Sequence, residues 1–508
     1  MSITRLSLSH WLALFVLVLC PSLAVGQQRT PLRSPAQLAE AIDAVLDKDA
    51  FANAFWGVYV ADLNTGEVLY NRNGRKSFMP ASNVKLYTAA VALMKLGPDY
   101  RYRTTLYADG PVHDGVLRGD LIIRGSGDPT IGGRFHDGDV TRVFRAWADS
   151  LINLGITRIE GDIIGDDDIF DDIPLGTGWS WDDETYYYAS EISGLSFNEN
   201  VIDVSIRGQR IGAPGSVTWE PFNTSYVAIT NETITVASQR PLEEGYERTR
   251  GTNHIRLYSE VPAGRTDKES LSVHGATLYF AHVLSETLVQ AGISVAGQPI
   301  DIDDLPVIPN YADPGLRPVA SYESPPLAEI VREMGVESNN HIAEQLLKTL
   351  AAAVPLSSRA YDPGSAEMGV AIVREQLGRI GVDTTRINLV DGSGLSRKDL
   401  VTPEATGILL QHMWDYPDRS IRNAFHDALP VGGVSGTLEY RFQNAPLRGN
   451  VRAKTGSLGG VSSLSGYVRT SSQTPLVFVI MANHFTSSSY TVRNAQDAIV
   501  ALLAQYRG

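Results

Sequence analysis

Apolar residues run almost unbroken from Phe55 to Leu63, which predicts a strand. Asn64-Thr65-Gly66 supplies a turn, and Glu67 to Asn71 reads as the returning strand. After a loop carrying Pro80 the period changes. From about Ser82 to Lys95 the chain reads as a helix, with Val84, Leu86, Ala89, Val91, Leu93 and Leu96 distributed around it. A helix apolar on every side has no solvent face, so this one belongs in a core. Gly97-Pro98 ends it.

From Asp99 to Pro318 the texture is different. Short β-rich runs appear at Arg103 to Tyr107, Asp120 to Arg124, Arg158 to Ile164, Val201 to Ile206, Tyr226 to Ala237 and His254 to Tyr258. Turns rich in glycine and aspartate separate them, and helical periods occur only near Val140 to Leu154 and Thr277 to Ala291. This stretch reads as inserted material, compatible with two nested modules. After Pro325-Pro326 helical patterns return at Leu327 to Met334, Asn339 to Ala352, Ser365 to Ile380 and Pro403 to Tyr416. Strands follow at Asn450 to Lys454, Ser463 to Arg469 and Leu476 to Ala482. Strands therefore begin and end the sequence with helices between. The simplest packing is one antiparallel sheet flanked by helices, an α+β arrangement. The expected division is residues 27–98 and 319–508 as one domain, interrupted by an insert over 99–318.

Length and charge narrow the classes. A chain of 508 residues calls for more than one domain. Its net charge of −14 argues against a nucleic-acid partner, which needs a basic surface. Residues 1–26 read as a secretory signal: Arg5, an apolar run from Trp11 to Leu19, and the small-x-small site Ala24-Val25-Gly26. Cleavage before Gln27 fits best, with cleavage after Ala24 as the alternative. The single cysteine, Cys20, lies inside this segment, and Leu19 before it is a poor fit to lipoprotein processing. The remaining chain has no thiol for a disulfide or a thiolate metal site. No stretch beyond the signal is long and apolar enough to span a membrane. Thr491 to Tyr506, with Val492, Ala495, Ala498, Ile499 and Leu502 on one side, reads as a core helix.

Two short motifs carry the chemistry. Ser82 and Lys85 form an S-x-x-K, and Lys454-Thr455-Gly456 a K-T-G. Residues three apart share one helix face, so the lysine can take the proton of a serine that is otherwise a weak nucleophile. Burial, and a second cation such as Lys454, would lower the pKa of Lys85 and keep its amine neutral near pH 7. Gly456 leaves a strand edge open to a ligand, and Thr455 and Lys454 can bind a carboxylate. Backbone N–H groups of Ser82 and Ser457 facing one pocket would form an oxyanion hole. A third motif, S-x-N, has two candidates. Ser196-Phe197-Asn198 lies in the insert, and Ser338-Asn339-Asn340 opens an amphipathic helix; the second is the better choice.

The trio, in this order and with a long insert between its first two members, resembles the D-alanyl-D-alanine carboxypeptidase/endopeptidase family, the class C low-molecular-mass penicillin-binding proteins. Further matching runs are Arg124 to Thr130, Gly178 to Asp183, Asp391 to Arg397 and Leu429 to Gly433. One departure is Glu337, where that family often has lysine. The resemblance implies a fold like that of serine β-lactamases, a periplasmic location and no cofactor or metal. Its partners would be peptidoglycan stem peptides, with β-lactam antibiotics as covalent inhibitors. It implies that Ser82 attacks the carbonyl between two D-alanines and Lys85 accepts its proton. Ser338 relays a proton to the departing amine, and Asn340 orients Lys85 and the substrate amide. Lys454 and Thr455 hold the terminal carboxylate beside Gly456. Both carboxypeptidase and D,D-endopeptidase activity are compatible with this reading. Asp183 is the candidate for holding a free ammonium on the stem peptide.

The acidic run Asp166-Asp167-Asp168 with Asp171-Asp172 lacks the spacing of a calcium loop and is expected to be a solvated loop. A Ser-His-Asp hydrolase is disfavoured because no G-x-S-x-G occurs. His254 and His341 have no motif around them and read as structural. A wall-binding protein without turnover is disfavoured because Ser82, Lys85 and Lys454 are all present.

Overall fold

The computed structural model of the protein describes residues 32–354 and 363–508. The signal read in residues 1–26 lies outside the described residues. The central sheet has five antiparallel strands in the order Val68–Arg72, Phe55–Asp62, Pro475–Asn483, Val461–Arg469 and Arg452–Leu458. Residues before the insert thus pair with residues at the far end of the chain, register Phe55 to Asn483 through Asp62 to Leu476.

Alternation along these strands builds two cores. Val58, Val60, Phe478 and Ile480 pack against the helices Pro35–Leu46 and Ser489–Gln505. Tyr59, Ala61, Val477 and Val479 face the other way, onto Val84–Leu96, Leu327–Glu337, Asn340–Ala353 and Pro403–Trp414. Successive side chains point to opposite faces, so a strand buried on both reads as a continuous apolar run. The last helix is a core helix, although Val500 and Leu503, rather than Ala498 and Leu502, complete its buried face.

The insert has a core of its own. A five-stranded sheet runs in the order Pro299–Asp301, Ile163–Asp166, Asp120–Arg124, Arg103–Asp109 and Leu316–Glu323. The helices Arg142–Asn153 and Ala276–Gln290 pack in the same hydrophobic cluster. Smaller sheets between Val201 and Ser272 share that cluster. The expected boundary at residue 318 falls inside the strand Leu316–Glu323, which pairs with Arg103–Asp109. The expected single strand over Arg158 to Ile164 is two, Arg158–Ile159 and Ile163–Asp166. Between them Gly161 passes so close to the Gly119 carbonyl that a Cβ would lie 2.4 Å from its oxygen.

Among the described residues no helix is long and apolar enough to cross a membrane. The acidic run is more structured than a solvated loop. Asp166 is buried and accepts from the Tyr311 hydroxyl, and Asp167 accepts from Ser193 at 2.9 Å. Asp171 pairs with the buried Lys348 on the helix Asn340–Ala353, outside the insert, at 2.5 Å.

Candidate active site

Ser82 lies in a tight turn, Ala81–Asn83, that leads directly into the helix Val84–Leu96. The α-helix therefore starts two residues later than the sequence suggests. Ala81 takes a left-handed conformation, φ 48°, to make the turn. The turn brings Ser82 round so that Lys85, one turn on, reaches it: Nζ lies 3.0 Å from Ser82 Oγ.

Lys85 is enclosed. Its Nζ also donates to Asn340 Oδ1 at 2.6 Å and to the Ser393 carbonyl at 2.8 Å. The Asn340 amide is fixed in turn, because its Nδ2 donates to the Tyr188 carbonyl at 2.7 Å. Lys85 is only 1% exposed. Burial pushes its amine down to about 7, against the pull of Asp391, Glu344 and Asp399.

Lys454, also 1% exposed, stands on the strand Arg452–Leu458. Its Nζ donates to Ser338 Oγ at 2.7 Å. Burial, and then the nearby Lys85, hold its amine well below the usual lysine range. Ser338 ends the helix Leu327–Glu337 in a left-handed conformation, φ 62°, and Asn339 caps the next helix by accepting from the Ile342 N–H at 2.8 Å. Thr455 donates to the Thr437 hydroxyl at 2.8 Å. Gly456 passes flat against the serine turn: a Cβ there would lie 2.7 Å from the Pro80 carbonyl oxygen and 3.1 Å from the Ser82 nitrogen. Ser457 follows it with an exposed side chain.

The other S-x-N candidate is elsewhere. Ser196 accepts from Gln345 at 2.6 Å, and Asn198 bonds Gly133 and Asp203 inside the insert. Asp183 accepts from the hydroxyl of Tyr188 at 3.0 Å, the same residue whose carbonyl holds Asn340. His341 is buried, and burial drives its imidazole down to about 4, so it is neutral at pH 7. Among the described residues no group of three or more His, Cys, Asp or Glu is placed to hold a metal ion.

The run Asp391 to Gly394, a tight turn expected to support the site, forms the floor of the pocket, but sequence reasoning missed Glu344 beneath it. Glu344 accepts from the Gly392 and Ser393 N–H groups at 3.0 and 2.8 Å, and so holds the residue whose carbonyl meets Lys85. Burial and the neighbouring Asp391 push the Glu344 carboxyl up. Asp391 accepts from Gly394, Ser396 and the Trp179 indole of the insert, at 2.7, 2.7 and 3.0 Å. Glu344 had a legible signal: it lies one helical turn after Asn340, on the same face.

The chain matches the family model described as the D-Ala-D-Ala carboxypeptidase 3 (S13) family over residues 38–506. It is 33% identical, over 93% of its length and 85% of the relative's, to a D-alanyl-D-alanine carboxypeptidase of Actinomadura sp. (strain R39). It is 27% identical, over 87% of its length and 88% of the relative's, to the D-alanyl-D-alanine carboxypeptidase DacB of Haemophilus influenzae. Its fold matches the crystal structure of penicillin binding protein 4 (dacB) from Haemophilus influenzae. The TM-score is 0.76 at 24% identity, covering 91% of this chain and 97% of the other. The α+β architecture is therefore that of the penicillin-binding proteins, and the chain belongs to the D-Ala-D-Ala carboxypeptidase 3 (S13) family of serine peptidases.

Proposed function

We propose that the protein hydrolyses the peptide bond after a D-alanine in peptidoglycan stem peptides, through an acyl-serine intermediate on Ser82. The observation that carries this is the Lys85 amine, 3.0 Å from Ser82 Oγ and held near neutrality by burial. Ser82 Oγ attacks the carbonyl carbon, and its proton passes to Lys85 Nζ. The oxyanion rests on the N–H groups of Ser82 and Ser457. When the C–N bond breaks, the proton returns through Ser338 to the departing amine. Water then attacks the ester, gives one proton to Lys85, and Ser82 Oγ leaves by taking it back.

Lys454 and Thr455 receive the carboxylate of the leaving D-residue, and Gly456, with no side chain, lets their strand lie against the serine turn. A terminal D-alanine and a D-centre in a cross-link both carry that carboxylate, so the site suits carboxypeptidase and D,D-endopeptidase cleavage alike. Asp183 is proposed to receive a free ammonium of the stem peptide. A β-lactam presents the same carbonyl and carboxylate, and we propose that it acylates Ser82 and leaves slowly. The substrate and the apolar segment in residues 1–26 support a periplasmic location.

The test is labelling of the purified protein with a fluorescent penicillin, followed by mapping of the modified peptide. A stable adduct on Ser82, lost in Ser82→Ala, is expected. A folded sample that gives no adduct, or gives one on another residue, would refute the assignment.

A further inference from the structure

Ser338 sits at φ 62° between two helices, a conformation that a side chain with a Cβ adopts only when its surroundings hold it there. The adjacent Asn339 shows what holds it. Its Oδ1 caps the helix Asn340–Ala353 through the Ile342 N–H, so its Nδ2 faces the other way. There it donates to Glu199 Oε2 at 2.6 Å. Glu199 belongs to the insert, not to the catalytic half.

Glu199 is itself placed with care. Asn198, Glu199 and Asn200 are three consecutive non-glycine residues with positive φ, 47°, 56° and 55°. Asn198 accepts from the Gly133 N–H at 3.1 Å and donates to Asp203 at 2.9 Å. Asn200 accepts from the Phe197 N–H at 3.1 Å and donates to the Glu191 carbonyl at 2.8 Å. The strained triplet is thus tied down on both sides of the one residue that points out of it. Arg134 completes the arrangement. Its Nε bonds Glu199, and its Nη1 donates to Glu333 Oε1 at 3.1 Å. Glu333 lies on the helix Leu327–Glu337, upstream of Ser338, and Asn339 lies immediately downstream. Burial pushes the Glu199 carboxyl up, but Arg134 and Asn339 outweigh it and keep it ionised.

We infer that the Arg134–Glu199 pair is a positioning clamp for the reaction. By gripping Glu333 and Asn339 it fixes the turn that sets Ser338 against Lys454 and Asn340 against Lys85. The insert then takes part in positioning the reacting groups, through the bonds of Glu199 to Arg134 and Asn339. This inference rests on the proposed acyl-serine chemistry. Displacing a reacting group by about 1 Å costs on the order of 100-fold in rate, which sets the expected effect.

The experiment compares the wild-type protein with Glu199→Ala, Asn339→Asp and the double variant Asn339→Asp/Glu199→Gln. Each is checked for folding by circular dichroism and assayed for penicillin acylation and peptide hydrolysis. Glu199→Ala is expected to acylate about 100-fold more slowly, with kcat reduced and KM for the peptide unchanged. Asn339→Asp sets two carboxylates together and is expected to be similarly slow. The double variant restores a donor and an acceptor at that contact and is expected to recover most of the rate. A purely structural role would lower the melting temperature without this split or this rescue. A folded Glu199→Ala that acylates at the wild-type rate overturns the clamp, and so does a double variant no faster than Asn339→Asp. If Glu199→Ala does not fold, the comparison of the other two decides. Wild-type protein that never labels Ser82 overturns the function instead, which separates the two failures.

Discussion

The Asn83 side chain donates to the Lys454 carbonyl at 3.1 Å, and so joins the serine turn to the strand of the K-T-G across 371 residues of sequence. Its Oδ1 accepts from Ser465 on the neighbouring strand at 2.5 Å. Asn83 is fully buried, and both of its bonds fix the distance between nucleophile and carboxylate pocket. Asn83→Ala leaves a buried carbonyl and a buried hydroxyl unpaired, at a cost of about 1–3 kcal/mol. Urea denaturation is expected to show that loss, and penicillin acylation to slow with it. A variant of wild-type stability and rate would show the link to be dispensable.

The Lys85 amine, held at about 7 by burial, gives acylation a pH dependence. The free base that accepts the Ser82 proton is populated above that value, so the acylation rate is expected to rise with pH through about 7 and then level off. Stopped-flow acylation across pH 5 to 9 reads this directly. An unvarying rate would remove Lys85 from the role of base.

Stability responds to the same amine. In the unfolded chain Lys85 keeps its proton up to its ordinary value of 10.5, whereas in the fold it releases it at about 7. Between these values the unfolded state binds the extra proton, so this group makes stability rise with pH. Lys85→Met is expected to flatten that part of the pH–stability curve, as measured by denaturant unfolding at pH 7 and pH 9.

Gly456→Ala tests the closeness of strand and serine turn. The added methyl would press on the Pro80 carbonyl and the Ser82 N–H, where the oxyanion is proposed to sit. Loss of acylation with near-wild-type circular dichroism is expected. Full acylation would mean that the two segments have more freedom than their spacing shows.

Asp183→Asn addresses selectivity. Losing one partly exposed charge pair, worth roughly 1 kcal/mol, is expected to raise KM about fivefold for a peptide with a free side-chain ammonium. The acetylated peptide and a simple β-lactam serve as controls and are expected to be unaffected. Equal effects on both peptides would point to damage of the Tyr188 contact instead.

Much of this architecture is written locally. The run Phe55 to Leu63 and the strands near the C-terminus announce a doubly covered sheet, and the motif trio marks its edge. The rest depends on partners that spacing cannot show. Asn83 is an unspecified position of the S-x-x-K and Glu199 sits in no motif, and their meaning comes from an Asn83–Lys454 and a Glu199–Asn339 contact between distant segments. The expected boundary at Pro318 rests on a change of texture, which does not show the strand that crosses it. Only its pairing with Arg103–Asp109 places Leu316–Glu323 in the insert's sheet. Asp166 looks like any loop aspartate until Tyr311, far along the chain, closes over it.

The pairing of Phe55–Asp62 with Pro475–Asn483 also governs biogenesis. Contacts of such long sequence separation are slow to form, and loop closure must precede any reward from them. A ribosome or a translocation channel delivers the early strand long before its mate. Until the three C-terminal strands emerge, the serine turn has no sheet-borne K-T-G to lie against, so a growing chain carries no finished hydrolase. Assembly of the site is thereby timed to the arrival of the C-terminal strands.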